Sequence, residues 1–152
     1  MSESRYTIGV DFGTESARAV LVDLADGSEL GVAVHDYANG VIDERLPAPD
    51  GDVVLGPDWA LQDPNDYLET FRRAVPRVLA ESGIDRALVI GIGIDFTACT
   101  MLPTLSDGTP LCFLDAYRRD PHAWVKLWKH HAAQPEADEI NRVAADLGEP
   151  WL

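Results

Sequence analysis

The sequence predicts a mixed α/β lobe: an antiparallel meander of strands, a crossover helix, then a strand parallel to the first. Three observations predict it. Tyr6, Ile8, Val10 and Phe12 alternate with Thr7, Gly9 and Asp11, the period of two of a strand with one face in a core. Asp63-Pro64 then opens a long stretch whose apolar residues recur at helical spacing. Beyond it, Leu88-Val89-Ile90-Gly91-Ile92-Gly93-Ile94 is apolar without alternation, as in a central strand covered on both faces.

Taken in order, the first strand ends at Asp11-Phe12-Gly13-Thr14-Glu15-Ser16, and the apolar run 17–22 returns as its partner. Asp26-Gly27 is a hairpin turn, and a third strand over 29–37 completes the meander. Residues 38–62 are broken by Pro47, Pro49, Pro57, Gly40, Gly51 and Gly56, so only 53–55 can pair briefly. A connection this long either serves function or packs against another part of the protein. The crossover helix starts at Asp63, presents Tyr67, Leu68, Phe71, Val75, Val78 and Leu79, and ends at Gly83. Pro76 inside it predicts a kink or a lost hydrogen bond. After the central strand, Asp107-Gly108 between 97–103 and 111–114 predicts a second hairpin. Asp120-Pro121 predicts a helix over 120–132 with Trp124, Leu127 and Trp128 on its apolar face, and Pro135 breaks it. A last helix over 136–147 carries Ala137, Ile140, Val143, Ala144 and Leu147 before Gly148.

The totals exclude several function classes. The 152 residues suffice for one ordinary core, and 46% hydrophobic with 25% charged residues is the composition of a soluble globular chain. Twelve basic against 26 acidic residues give a net charge of −14, which repels nucleic acid and anionic membrane. Any phosphate ligand must then be met by backbone N–H groups, a few placed cations and Mg²⁺. Cys99 and Cys112 both lie in apolar company, so reduced, buried thiols in a cytoplasmic protein are expected rather than a disulfide framework. Neither a signal peptide nor an apolar run long enough for a bilayer stands out.

Three strands, a crossover helix and a central strand make the order of a ribonuclease-H-like lobe, in which carboxylates at the ends of the first and fourth strands face one cleft. Asp11 and Asp95 occupy those ends. They can hold Mg²⁺ through water, as phosphoryl-transfer sites require, or simply cap turns. Around Gly13, the turn can cradle phosphate oxygens with its amides and with the hydroxyls of Thr14 and Ser16; equally, it can be a polar hairpin turn with glycine at a positive φ. Arg18 can pair with Glu15 or with a phosphate oxygen. Phe96-Thr97-Ala98-Cys99-Thr100 puts small and polar groups after the central strand, where a ligand can lie against the backbone. Trp128 and Lys129 either serve a small polyol or belong to the core and the solvated surface. His130 and His131 are adjacent, point about 100° apart, and cannot share a metal as an i,i+4 pair would.

Asp11 through Ser16 resembles the first phosphate-binding turn of the sugar-kinase, actin and chaperone-ATPase superfamily. Longer stretches resemble the ribulokinase-like branch of the FGGY carbohydrate kinases: residues 11–20, Gly40-Val41-Ile42-Asp43, Trp59-Ala60-Leu61-Gln62, 91–103 and 121–133. The resemblance spans nearly the whole chain. It implies an enzyme that moves the γ-phosphoryl group of ATP, with Mg²⁺, to the terminal hydroxyl of a ketopentose. It further implies that Gly13, Thr14 and Glu15 face the nucleotide phosphates, that Asp11 lies near the metal, and that Asp95, Thr97 and Ala98 line the sugar pocket. Members of that family are over three times longer and fold as two lobes, so residues 1–152 are expected to be an incomplete N-terminal lobe. The second phosphate motif, the adenosine pocket and the catalytic base are then expected in a C-terminal lobe outside it, which leaves this piece inactive by itself and prone to self-association.

Two rivals make different demands. A ribonuclease-H-like nuclease would also use Asp11 and Asp95, but it needs further acidic ligands and a basic surface, which the charge of −14 opposes. A non-catalytic lone lobe would instead bind a partner through the surface that normally meets the second lobe.

Overall fold

Tyr6, Ile8, Val10 and Phe12 are buried along one face of β1 (Tyr6–Phe12) in the computed structural model, which describes residues 4–148. β1 pairs antiparallel with β2 (Ser16–Asp23), and β2 pairs with β3 (Glu29–Asp36), so the meander forms as its pattern requires. The core face of β2 consists of Ala17, Ala19 and Leu21, each 0% exposed, and Ala33 supplies it on β3. Complete burial of a side chain such as Ile8 or Leu21 stabilises by about 1.5–3 kcal/mol, which holds this register against a one-residue slip.

The helix α1 (Pro64–Ser82) covers β2 and β3. The Asp63 carboxylate accepts from the Asn65 N–H at 2.8 Å, Pro64 opens the first turn, and Gly83 ends the helix at a φ of +69°. It continues through Pro76. Its innermost row is Asp66, Thr70, Ala74 and Val78, with Tyr67, Phe71, Val75 and Leu79 packed beside them, while Leu68 is exposed. The buried Asp66 carboxylate accepts from the backbone N–H groups of Ala38 and Asn39 and from the Asn39 amide, which ties the long connection to the helix.

Residues 38–62 do pack, as a second small core. β4 (Arg45–Leu46) pairs with β5 (Val53–Val54), and β6 (Leu61–Gln62) pairs with β8 (Val125–Lys126). Ile42, Leu46, Leu55 and Leu61 enclose this core with Cys112, Ala123 and Trp124.

β7 (Val89–Phe96) lies parallel to β1, so the main sheet has the order β3-β2-β1-β7. The expectation of a strand covered on both faces is corrected: among the described residues β7 is outermost, and Ile90, Ile92, Ile94 and Phe96 are about half exposed. They continue the core face of β1, but α1 lies mainly over β2 and β3, and its Tyr67 ring meets only the end of the row, edge-on to Phe96 at 6.0 Å. Gly91, Gly93 and Asp95 fall on the other side, which therefore has little apolar bulk.

The helix expected over 120–132 does not form. Asp120 caps only a 3₁₀ turn, Pro121–Ala123, and the chain then extends as β8. Ala123, Trp124, Val125 and Leu127 are all buried, more than one helix face can cover, and pairing with β6 satisfies the backbone instead. The Lys126 ammonium folds back to donate to the carbonyls of Pro121, His122 and Trp124, which fixes the turn. The second hairpin reduces to its turn at Gly108 and one bridge, Thr104 to Pro110, followed by a 3₁₀ turn over Leu111–Phe113. The last helix, α2 (Gln134–Asp146), forms, but Ile140, Val143 and Leu147 remain exposed. Cys112 is buried as expected; Cys99 is exposed, because it sits in the tight turn after β7.

Candidate functional site

Asp11 and Asp95 are register partners at the ends of the parallel strands β1 and β7. Register partners project to the same face, and alternation puts that face opposite α1. Both carboxylates line one cavity of about 510 Å³, together with Arg18, Val20 and Val32. Arg18 stands across from Asp11 on β2 and approaches it at 3.7 Å rather than pairing with Glu15. Both side chains are more than half exposed, so this ion pair is weak and easily exchanged for a ligand contact.

The turn between β1 and β2 is held from within. Gly13 N–H donates to the Ser16 carbonyl at 2.9 Å, and a Cβ on Gly13 would stand 2.9 Å from that oxygen. Close approach, rather than a positive φ, is what requires glycine here. The Gln62 side-chain amide donates to the Thr14 carbonyl at 2.7 Å and to the Gly13 carbonyl at 3.3 Å. Tyr37 N–H donates to the Glu15 carbonyl at 2.9 Å. Every carbonyl from Gly13 to Ser16 thus has a protein donor. The peptides are trans, so the N–H groups of Thr14 and Glu15 point away from those bonded carbonyls. Neither has a protein acceptor among the described residues. A turn whose main-chain carbonyls are occupied and whose main-chain N–H groups are not can offer those donors to an anion.

Trp128 reaches the same turn. Its indole N–H donates to the Thr14 hydroxyl oxygen at 3.2 Å, and the side chain is 52% exposed rather than core. That bond leaves the hydroxyl proton of Thr14 free for a further acceptor.

After β7, Thr97 is committed to the sheet. Its N–H and its hydroxyl both donate to the Phe12 carbonyl, at 3.1 and 2.9 Å. Only the lone pairs of its hydroxyl remain for a ligand. The Thr100 hydroxyl donates to the Thr97 carbonyl at 2.6 Å, Cys99 adopts a φ of +58°, and Ala98 is exposed at the turn. The structure therefore brings Asp11, Asp95, Thr97 and the turn at Gly13, Thr14 and Glu15 to adjoining strand ends. Sequence reasoning did not single out Gln62 or Tyr67 as functional. Gln62 stands out only as an uncharged polar residue beside Trp59-Ala60-Leu61, and nothing local tells that it is buried.

The donor set can be tested against a magnesium ion. Among the described residues no group of three or more His, Cys, Asp or Glu side chains converges. Asp11 and Asp95, exposed and on one face, fit an ion that keeps most of its waters and takes its remaining ligands from phosphate.

Away from these residues, a cavity of about 660 Å³ is lined by Asn39, Asp63, Asn65, Arg118 and Trp124, and burial raises the pKa of the Asp63 carboxyl. Trp59 meets the rings of His122 and His130 edge-on, at 5.1 and 4.7 Å. The Ala60 N–H donates to His130 Nδ1 at 3.2 Å, and desolvation holds that imidazole below its ordinary pKa, reinforced by Lys126, His122 and His131. Burial pushes the Cys112 thiol up to about 11, so it is inert.

No family model matches the chain. It is 56% identical over 149 residues to the ribulokinase of Halalkalibacterium halodurans, a match of 98% of this chain and 26% of that protein. It is 59% identical over 148 residues to the ribulokinase of Shouchella clausii, with 97% and 26% covered. Among solved structures, a xylulose kinase from Brucella ovis superposes with a TM-score of 0.68 at 21% identity, over 93% of this chain and 24% of that one. That likeness shows the fold. The chain spans about a quarter of the length of the curated relatives that it matches.

Proposed function

We propose, from the premise that the chain is homologous to the N-terminal part of ribulokinases, that it carries half of the catalytic cleft of an ATP-dependent sugar kinase. The reaction moves the γ-phosphoryl group of ATP to the terminal hydroxyl of a ketopentose resembling L-ribulose. The observation that carries this reading is the turn after β1. Its carbonyls are all occupied by protein donors, and the N–H groups of Thr14 and Glu15, without a protein acceptor among the described residues, can meet phosphate oxygens. Gly13 lets the backbone fold this tightly, and the Thr14 hydroxyl adds a further donor.

Phosphoryl transfer asks the protein chiefly for positioning and charge stabilisation. The turn supplies donors on one side of the phosphates. Asp11 would hold Mg²⁺ through water, with Asp95 facing the same space. When bound, the ion supplies charge neutralisation at the phosphate oxygens. Asp95, Thr97 and Ala98 form the sugar side: Asp95 offers a carboxylate acceptor to a hydroxyl, and Ala98 leaves room for the sugar to approach the backbone. We assign the base that takes the proton from the acceptor hydroxyl, and the adenosine pocket, to residues outside these 152.

The test is L-ribulose-dependent ADP release from MgATP by the full-length protein and by residues 1–152 alone. Activity is expected from the first and none above background from the second. Robust phosphorylation by residues 1–152 would overturn the division of labour. In the full-length protein, Asp11→Asn is expected to lower the rate in a manner that depends on Mg²⁺ concentration. Wild-type kinetics for that variant would reduce Asp11 to a turn residue.

A further inference from the structure

We infer that Gln62, held by Tyr67, is a positioning residue that aims the amides of Thr14 and Glu15 at the ATP phosphates. This rests on reading the turn at Gly13, Thr14 and Glu15 as the phosphate turn.

Gln62 is 1% exposed and uses its whole side-chain amide. Both Nε2 protons go to turn carbonyls, at 2.7 Å to Thr14 and 3.3 Å to Gly13, while Oε1 accepts from the Tyr67 hydroxyl at 2.6 Å. The opposite amide orientation would set an oxygen against two carbonyl oxygens, so this network has one satisfied arrangement. Backbone pairing fixes where the side chain starts, because Gln62 lies opposite Val125 in the β6–β8 pair. Packing fixes where it ends. The Tyr67 ring meets Phe12 edge-on at 5.4 Å, Tyr37 at 5.9 Å and Phe96 at 6.0 Å, so its hydroxyl is anchored in the main core. A continuous line of hydrogen bonds therefore runs from that core, through Gln62, to two successive peptides of the turn.

Holding the carbonyls of Gly13 and Thr14 inward forces the N–H groups of Thr14 and Glu15 outward, because each shares a rigid trans peptide with a held carbonyl. Without the clamp, either peptide is free to rotate and present a carbonyl oxygen to a phosphate. Donors already pointed at the ligand cost no reorganisation when it binds.

The experiment uses the full-length protein and measures kcat and KM separately for MgATP and L-ribulose. Gln62→Glu keeps the shape of the side chain, still accepts from Tyr67, and sets a carboxylate against the two carbonyls. It is expected to raise the KM for MgATP about tenfold with the KM for L-ribulose unchanged. Tyr67→Phe deletes one oxygen from an intact aromatic cluster and is expected to raise the KM for MgATP about threefold. It carries the test by itself should Gln62→Glu not fold. A lower melting temperature with an unchanged KM for MgATP in the folded variants would make the clamp merely structural and overturn the inference. Thr14→Ala separates the two levels. If it raises the KM for MgATP while the clamp variants do not, only this inference falls. If it too leaves MgATP kinetics unchanged, the phosphate-turn reading falls with it.

Discussion

The indole N–H of Trp128 donates to the Thr14 hydroxyl at 3.2 Å, joining two residues 114 positions apart. The hydroxyl acts as acceptor there and keeps its own proton for a ligand. Thr14→Ala removes a donor to a charged phosphate oxygen, an interaction of about 1.5–3 kcal/mol, so kcat/KM for MgATP in the full-length protein is expected to fall roughly ten- to hundredfold. Trp128→Phe leaves that hydroxyl in place but unoriented, and a neutral hydrogen bond of about 0.5–1.5 kcal/mol predicts a smaller loss. Steady-state kinetics on both variants checks the order. A greater loss of MgATP efficiency in Trp128→Phe than in Thr14→Ala would reverse the roles assigned to the two side chains.

Gly13→Ala places a methyl group 2.9 Å from the Ser16 carbonyl oxygen, a separation that the backbone must relieve. The turn has to open, and its Gly13-to-Ser16 hydrogen bond lengthens. Overpacking of this kind costs about 1–3 kcal/mol. Chemical denaturation is expected to show that loss, and MgATP affinity is expected to fall with it. Unchanged stability would mean that the turn relaxes more freely than its hydrogen bonds imply.

His130 predicts an acid-side loss of stability. Its Nδ1 accepts the Ala60 N–H and desolvation depresses its pKa, so the folded chain binds fewer protons than the unfolded chain just below the ordinary histidine value. Stability is thus fully present above about pH 6.5 and declines as the pH falls through that value. The substitution His130→Asn offers a neutral acceptor at a similar place. Melting temperatures between about pH 5.5 and 7.5, a window that brackets the ordinary histidine value, are expected to vary less in that variant. An equal slope in both proteins would remove His130 as the cause.

Ile90, Ile92, Ile94 and Phe96 leave one side of β7 apolar and about half exposed. A contiguous apolar strip on an outermost strand favours association. Residues 1–152 by themselves are expected to self-associate, and Ile92→Lys with Ile94→Lys is expected to suppress it. Light scattering decides; a monodisperse monomer at high concentration for the unmodified chain would count against the strip as an association surface.

Much of the lobe was legible in local pattern, because strand alternation, Asp63-Pro64 capping and the Gly83 stop are short-range physics. Tyr6 to Phe12 could bury one face only as a strand, and Asp11 and Asp95 were recognisable as carboxylates that close two strands. Residues 120–132 show where such reading fails. Their helical spacing is real, but burial of Ala123 and Trp124 in a second core, with Val125 and Leu127 also buried, outweighs a weak local preference. Tertiary structure alone decided that Gln62 is buried against the turn, that Trp128 meets Thr14, and that α1 packs over β2 and β3 and leaves Ile90, Ile92 and Ile94 of β7 about half exposed. Each depends on which distant segment fills the adjoining space. Side-chain hydrogen bonds across 48 or 114 residues leave no period in the sequence, because only the packed chain brings donor and acceptor within reach.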